Sequence, residues 1–181
     1  KKGIKFLDQI AKIRKFWKIV GTIGIFVAFY LMIIVGMWSL IEYGKRLITK
    51  EISIPGISFI FPSPTSQPMV GPGYILIPFW FWIIIIASVM IPHEVFHGIM
   101  SRVEKIRVKS AGLLLLAIFP GAFVEPDEKQ LKKAKFMTRL RIFAAGSFAN
   151  FIVYLLVFAL VSNVLWNCLL YTSPSPRDRQ K

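Results

Sequence analysis

The chain has 181 residues, 55% of them hydrophobic, with a mean hydropathy of +0.61, which is too apolar for an ordinary soluble domain and indicates a membrane protein. Its net charge of +14 would suit a nucleic-acid binder, but the cations flank long apolar runs, so nucleic acid is excluded and the lipid bilayer is the expected partner. Cys168 is the one cysteine, which rules out an internal disulfide and any cysteine-rich zinc motif.

The chain begins at Lys1 without a methionine, as a fragment or a processed start would. Residues 1–18 form a basic leader with Ile10, Ile13 and Trp17 at helical spacing. This pattern suits an interfacial amphipathic helix or a solvated arm that orients the first span. Residues 19–41 carry no charged side chain and are long enough to cross a hydrocarbon core as a helix, with no cleavage pattern of a signal peptide. Residues 42–73 contain Pro55, Pro62, Pro64, Pro68 and Pro72, and proline this dense predicts an irregular extracytoplasmic loop. A second span runs from Tyr74 to Met100, with Pro78 and Pro92 inside it. Pro92 removes one backbone hydrogen bond just before His93, so a bend is expected there.

The apolar stretch 111–124 is interrupted by Pro120-Gly121 and is too short to cross as a helix. Cations bracket it, with Lys105, Arg107 and Lys109 before it and Lys129, Lys132, Lys133 and Lys135 after. Both ends therefore lie on one side, and the stretch reads as a re-entrant or interfacial segment. A third span covers residues 142–166, and residues 167–181 read as a disordered or non-native tail. The fold class expected is an all-α polytopic membrane protein with about three transmembrane helices. The leader and the 102–141 region are rich in Lys and Arg, while the 42–73 loop is not. The positive-inside rule then puts the amino terminus in the cytoplasm and the proline-rich loop outside.

The chemistry is concentrated in His93-Glu94-Val95-Phe96-His97, which holds both histidines of the chain. Four residues apart on a helix, the two imidazoles lie on one face and can reach one zinc ion. Glu94 is placed to act as general acid–base on a zinc-bound water. An ionisable residue in a span costs roughly 2.5–3.5 kcal/mol even on a lenient scale, which points to function. A catalytic zinc takes three protein ligands, yet no third histidine exists, and Glu104, Glu125, Asp127 and Glu128 sit in charged segments. In the third span Ala145, Gly146 and Ala149 permit close helix packing, while Asn150 brings an amide that can hold a substrate backbone or orient a ligand. Serine chemistry lacks both a Gly-x-Ser-x-Gly setting and a further histidine, and no aspartate lies in a span for an aspartyl dyad.

Three elements in order — His93 to His97, the run Pro120-Gly121-Ala122-Phe123-Val124-Glu125, and Arg141 to Gly146 leading to Asn150 — resemble the site-2 proteases, most closely their eukaryotic and archaeal branch. The resemblance covers roughly residues 74–166, the partial protease core. It implies an intramembrane zinc metalloendopeptidase that cleaves membrane-spanning protein substrates near the cytoplasmic face. His93 and His97 would bind zinc, Glu94 would be catalytic, and Asn150 would meet substrate. Pro92, Gly121 and Gly146 would be structural residues near the site. The stretch 111–124 would be a re-entrant β element to which unfolded substrate adds as a strand. The family's third ligand is an aspartate in a Leu-Asp-Gly motif, which this chain lacks, so an inactive amino-terminal fragment is expected. The alternative is a non-catalytic polytopic scaffold or transporter component that uses the histidines structurally.

Overall fold

The computed structural model describes residues 2–49, 59–71, 74–116 and 119–172. Helix α1 (Lys2–Ile10) is followed by α2 (Arg14–Tyr30), one π-helical turn (Leu31–Val35) and α3 (Gly36–Thr49). Strands β1 (Phe59–Ser63), β2 (Met69–Gly71) and β3 (Tyr74–Pro78) precede α4 (Phe79–Val103). A hairpin of β4 (Val108–Leu116) and β5 (Phe119–Pro126), the short α5 (Glu128–Lys133) and α6 (Phe136–Thr172) complete the order. Among the described residues, three helical stretches are long and apolar enough to cross a membrane: Arg14–Thr49, Phe79–Val103 and Phe136–Trp166.

The all-α expectation is corrected by two small sheets. One has the order β1-β3-β2, with β1 parallel and β2 antiparallel to β3. Prolines in the 42–73 region do exclude a helix over 59–71, but not a strand. Pro62 lies on β1, an edge strand, where a missing N–H costs no interior ladder bond. The same region begins later than expected, because α3 continues to Thr49. Tyr74 to Pro78 is strand and not the start of the second span, and Pro78 occupies the position just before α4. Its fixed φ and missing N–H suit that place. Pro92 is accommodated inside α4, which continues as helix through the motif.

The second sheet is formed by the 111–124 stretch, folded as an antiparallel hairpin whose register runs from Ala111 opposite Val124 to Leu116 opposite Phe119. Helix α6 begins before residue 142 and continues to Thr172, past the expected start of the tail. The rest of the expected tail, 173–181, lies outside the described residues.

The leader is also rearranged. The chain breaks between α1 and α2, so Ile13 is exposed and does not share an apolar stripe with Ile10 and Trp17. Leu7 and Ala11 instead pack with Ile99 and Val103 of α4, flanked by Ile10, Trp17 and Phe96. Gly98 permits this approach, since a Cβ there would stand 2.7 Å from Leu7 Cδ1. A second cluster joins Met100, Ile106, Ile142 and Ala145. Each large apolar side chain buried in this way contributes roughly 1.5–3 kcal/mol. Trp17 bridges the clusters, edge-on to Phe96, with its Nε1–H donating to the Ile10 carbonyl at 2.9 Å. The core thus surrounds the carboxyl-terminal half of α4, where the two histidines lie.

Candidate metal centre

Helical spacing on α4 stacks His93 and His97 with ring centroids 4.8 Å apart and their Nε2 atoms 3.2 Å apart. Two nitrogens bound to one tetrahedral zinc at about 2.0–2.1 Å stand roughly 3.3 Å from each other. The observed separation fits that value closely. Helix α6 presents Ala145, Gly146 and Ala149 to α4, all three buried. At Gly146 the small residue is required: a Cβ there would collide with His93 Nε2 and stand 2.5 Å from His97 Nε2. Any side chain at this position would fill the space onto which the two imidazoles converge.

The opposite edges of the rings are engaged. His97 Nδ1 lies 2.7 Å from the carbonyl oxygen of Ile142. A carbonyl only accepts, so the proton of a neutral His97 is on Nδ1 and the lone pair is on Nε2. His93 Nδ1 lies 3.1 Å from Asn150 Nδ2, and Asn150 Oδ1 is buried without a partner. In this orientation the amide donates to Nδ1, which leaves the His93 proton on Nε2 to be donated to His97 Nε2. Turning the amide over brings Oδ1 onto Nδ1, satisfies the orphaned oxygen and releases His93 Nε2 for a metal. Metal-bound histidines characteristically donate their second N–H to such an acceptor. The two imidazoles, Ile142 and Asn150 therefore fit a zinc ion held through both Nε2 atoms.

Glu94 lies one residue round the helix and faces the hairpin. Its Oε2 accepts the backbone N–H of Val124 at 3.2 Å. It borders an apolar cavity of about 160 Å³ between α1, α4 and the hairpin, with Leu7, Val95, Ala122 and Phe123 among the walls. At the hairpin's base Ser110 Oγ donates to Glu125 Oε2 at 2.6 Å, and Lys109 stands 3.5 Å from the other oxygen. The Ser110 bond, aided by Lys109, holds the Glu125 carboxyl below the usual range. Gly121 faces Leu114 across the hairpin.

Among the described residues no group of three or more His, Cys, Asp or Glu side chains comes together. The nearby carboxylates have other work. Glu104 is buried between Arg141 Nη1 at 2.8 Å, Lys18 Nζ at 3.9 Å and the Thr138 hydroxyl at 3.1 Å. Asp127 caps α5 by accepting the N–H groups of Lys129 and Gln130, and Glu128 pairs with Lys132. Sequence reasoning missed the Ile142 carbonyl, the Val124 amide and the docking of α1 beside Glu94. The first two are main-chain groups and leave no side-chain signature.

Residues 80–172 match peptidase family M50. The uncharacterized protein MJ0971 of Methanocaldococcus jannaschii is 32% identical over 163 residues, which is 90% of this chain and 41% of that protein. The chain thus spans well under half the length of this relative. No solved structure matches the chain.

Proposed function

The chain belongs to peptidase family M50, the site-2 protease family, and from that premise we propose that it carries the catalytic helix of an intramembrane zinc metalloendopeptidase. The proposed substrates are membrane-spanning segments of other proteins, cut near the cytoplasmic face. The observation that carries this reading is the pair of Nε2 atoms 3.2 Å apart with both Nδ1 atoms already engaged. Three membrane-length helices support the intramembrane setting, and the pooling of cations at the histidine end supports a cytoplasmic orientation for that end.

A zinc ion held by His93 and His97 would supply a hydroxide near neutral pH and polarise the scissile carbonyl. The Ile142 carbonyl fixes the proton of His97 on Nδ1, and Asn150, with its amide turned so that Oδ1 accepts, would do the same for His93. Glu94 is anchored through Oε2 by Val124, which leaves Oε1 to take a proton from the attacking water and deliver it to the leaving amine. The same Val124 contact ties the acid–base to β5, so a substrate strand added to the hairpin arrives in register with Glu94. Apolar walls from α1 and the hairpin limit water around the carboxylate. Two imidazoles leave catalytic zinc one protein ligand short. The reaction is therefore assigned to a protein that supplies these residues together with the expected Leu-Asp-Gly aspartate.

The test uses that whole protein in membranes. Glu94→Gln should abolish cleavage of a transmembrane substrate and keep the metal, while His93→Ala and His97→Ala should lose both. Cleavage by Glu94→Gln at the wild-type rate would refute the role of Glu94. Full zinc stoichiometry in His93→Ala would remove the metal site and favour a scaffold.

A further inference from the structure

Beside the histidine end of α4, the α1–α2 turn and the turn after α4 enclose a polar cleft of about 270 Å³. Lys12, Arg14, Arg102, Lys105 and Arg107 line it, against one carboxylate, Asp8. Asp8 is committed to the Arg102 guanidinium. Among the described residues, Lys12, Arg14, Lys105 and Arg107 make no salt bridge, so four cations share one cleft without counter-charge. Gln130 at its edge is also committed, accepting the Arg107 backbone N–H at 2.9 Å. Like charges gathered this closely repel unless an anion sits among them.

Lys105 follows the end of α4 at φ 65°, the one non-glycine residue with positive φ among those described. Glycine takes such a helix-ending position without steric penalty. Lysine there brings a cation to the cleft that glycine would not. Apolar surface adjoins the same rim: Ile13, between Lys12 and Arg14, is 66% exposed, and Phe16 is 53% exposed. A free inorganic anion makes no use of that surface, whereas acyl chains do.

We propose that this cleft binds the phosphate headgroup of an anionic membrane phospholipid, with its acyl chains along Ile13 and Phe16. The bound headgroup joins the α1–α2 turn to the turn after α4 and so holds α1 on the helix that carries the histidines. This site is independent of the metal chemistry proposed above, and its test needs neither zinc nor cleavage.

The chain in neutral detergent is melted, with tryptophan fluorescence as the readout, while phosphatidylglycerol, phosphatidylcholine or inorganic phosphate is titrated. Phosphatidylglycerol should raise the melting midpoint saturably, and the other two should not at matched concentration. Lys105→Gly with Arg107→Gln should weaken phosphatidylglycerol about fivefold per cation removed. Lys105→Gly alone should leave the lipid-free midpoint unchanged or higher, which separates lost binding from lost folding. Lys129→Gln with Lys133→Gln, both exposed on α5, should leave the lipid response intact. An equal loss in that second pair would overturn the cleft in favour of diffuse surface charge. A full shift with inorganic phosphate would overturn the lipid assignment, and no phosphatidylglycerol shift would overturn the site.

Discussion

The two halves of this molecule differ sharply in how they are held. At the histidine end, α1, the start of α2, the end of α4, the hairpin and the start of α6 bury a shared core, and most buried polar atoms have partners. In the opposite half, α3, the first part of α4 and the last part of α6 expose large apolar side chains such as Trp80, Phe158 and Leu160. The most apolar window of α4 has no buried residue within the structure. Protein–protein packing is therefore concentrated around the two histidines, and the remaining apolar surface is left for a non-aqueous surrounding.

Substitutions test that contrast. The largest effect is expected at Glu104, whose side chain is 5% exposed and holds Arg141, Lys18 and Thr138 together. Glu104→Ala strands the Arg141 guanidinium and should cost about 3–5 kcal/mol, read as denaturant unfolding in mixed micelles. Gly146→Val should lower zinc affinity about 100-fold by filling the space between the imidazoles, near the upper end of what metal-supporting residues contribute. A chelator competition measures it. Asn150→Ala should cost about 10-fold in the same assay, with Asn150→Asp retaining more affinity because a carboxylate oxygen still accepts the His93 Nδ1 proton. In the exposed half, Phe158→Leu should shift stability by no more than about 0.5 kcal/mol. A large loss there would show that the far half is packed as tightly as the site.

The same contrast explains what was legible in the sequence. His93, Glu94 and His97 declare themselves through a four-residue spacing that one helix enforces, and the short apolar run 111–124 between clusters of cations declares a segment that does not cross as a helix. Gly146 reads as a packing residue, and the structure brings its small size against the imidazoles themselves. The docking of Leu7 on α4 was not legible, because its partners Ile99 and Val103 are some ninety residues away and share no local period with it. Nor were β1 and β2, since proline density signals the end of helix but does not distinguish a loop from an edge strand. The Ile142 carbonyl that orients His97 belongs to the backbone, which every sequence has.

The central claim is that His93 and His97 hold one zinc ion through their facing Nε2 atoms. X-ray absorption at the zinc edge, on the membrane-purified chain titrated with zinc, tests it directly. The account predicts two imidazole nitrogens at about 2.0–2.1 Å from the metal, with one lost in His97→Ala. Zinc with no imidazole in its shell, or a spectrum unchanged by His97→Ala, would contradict it.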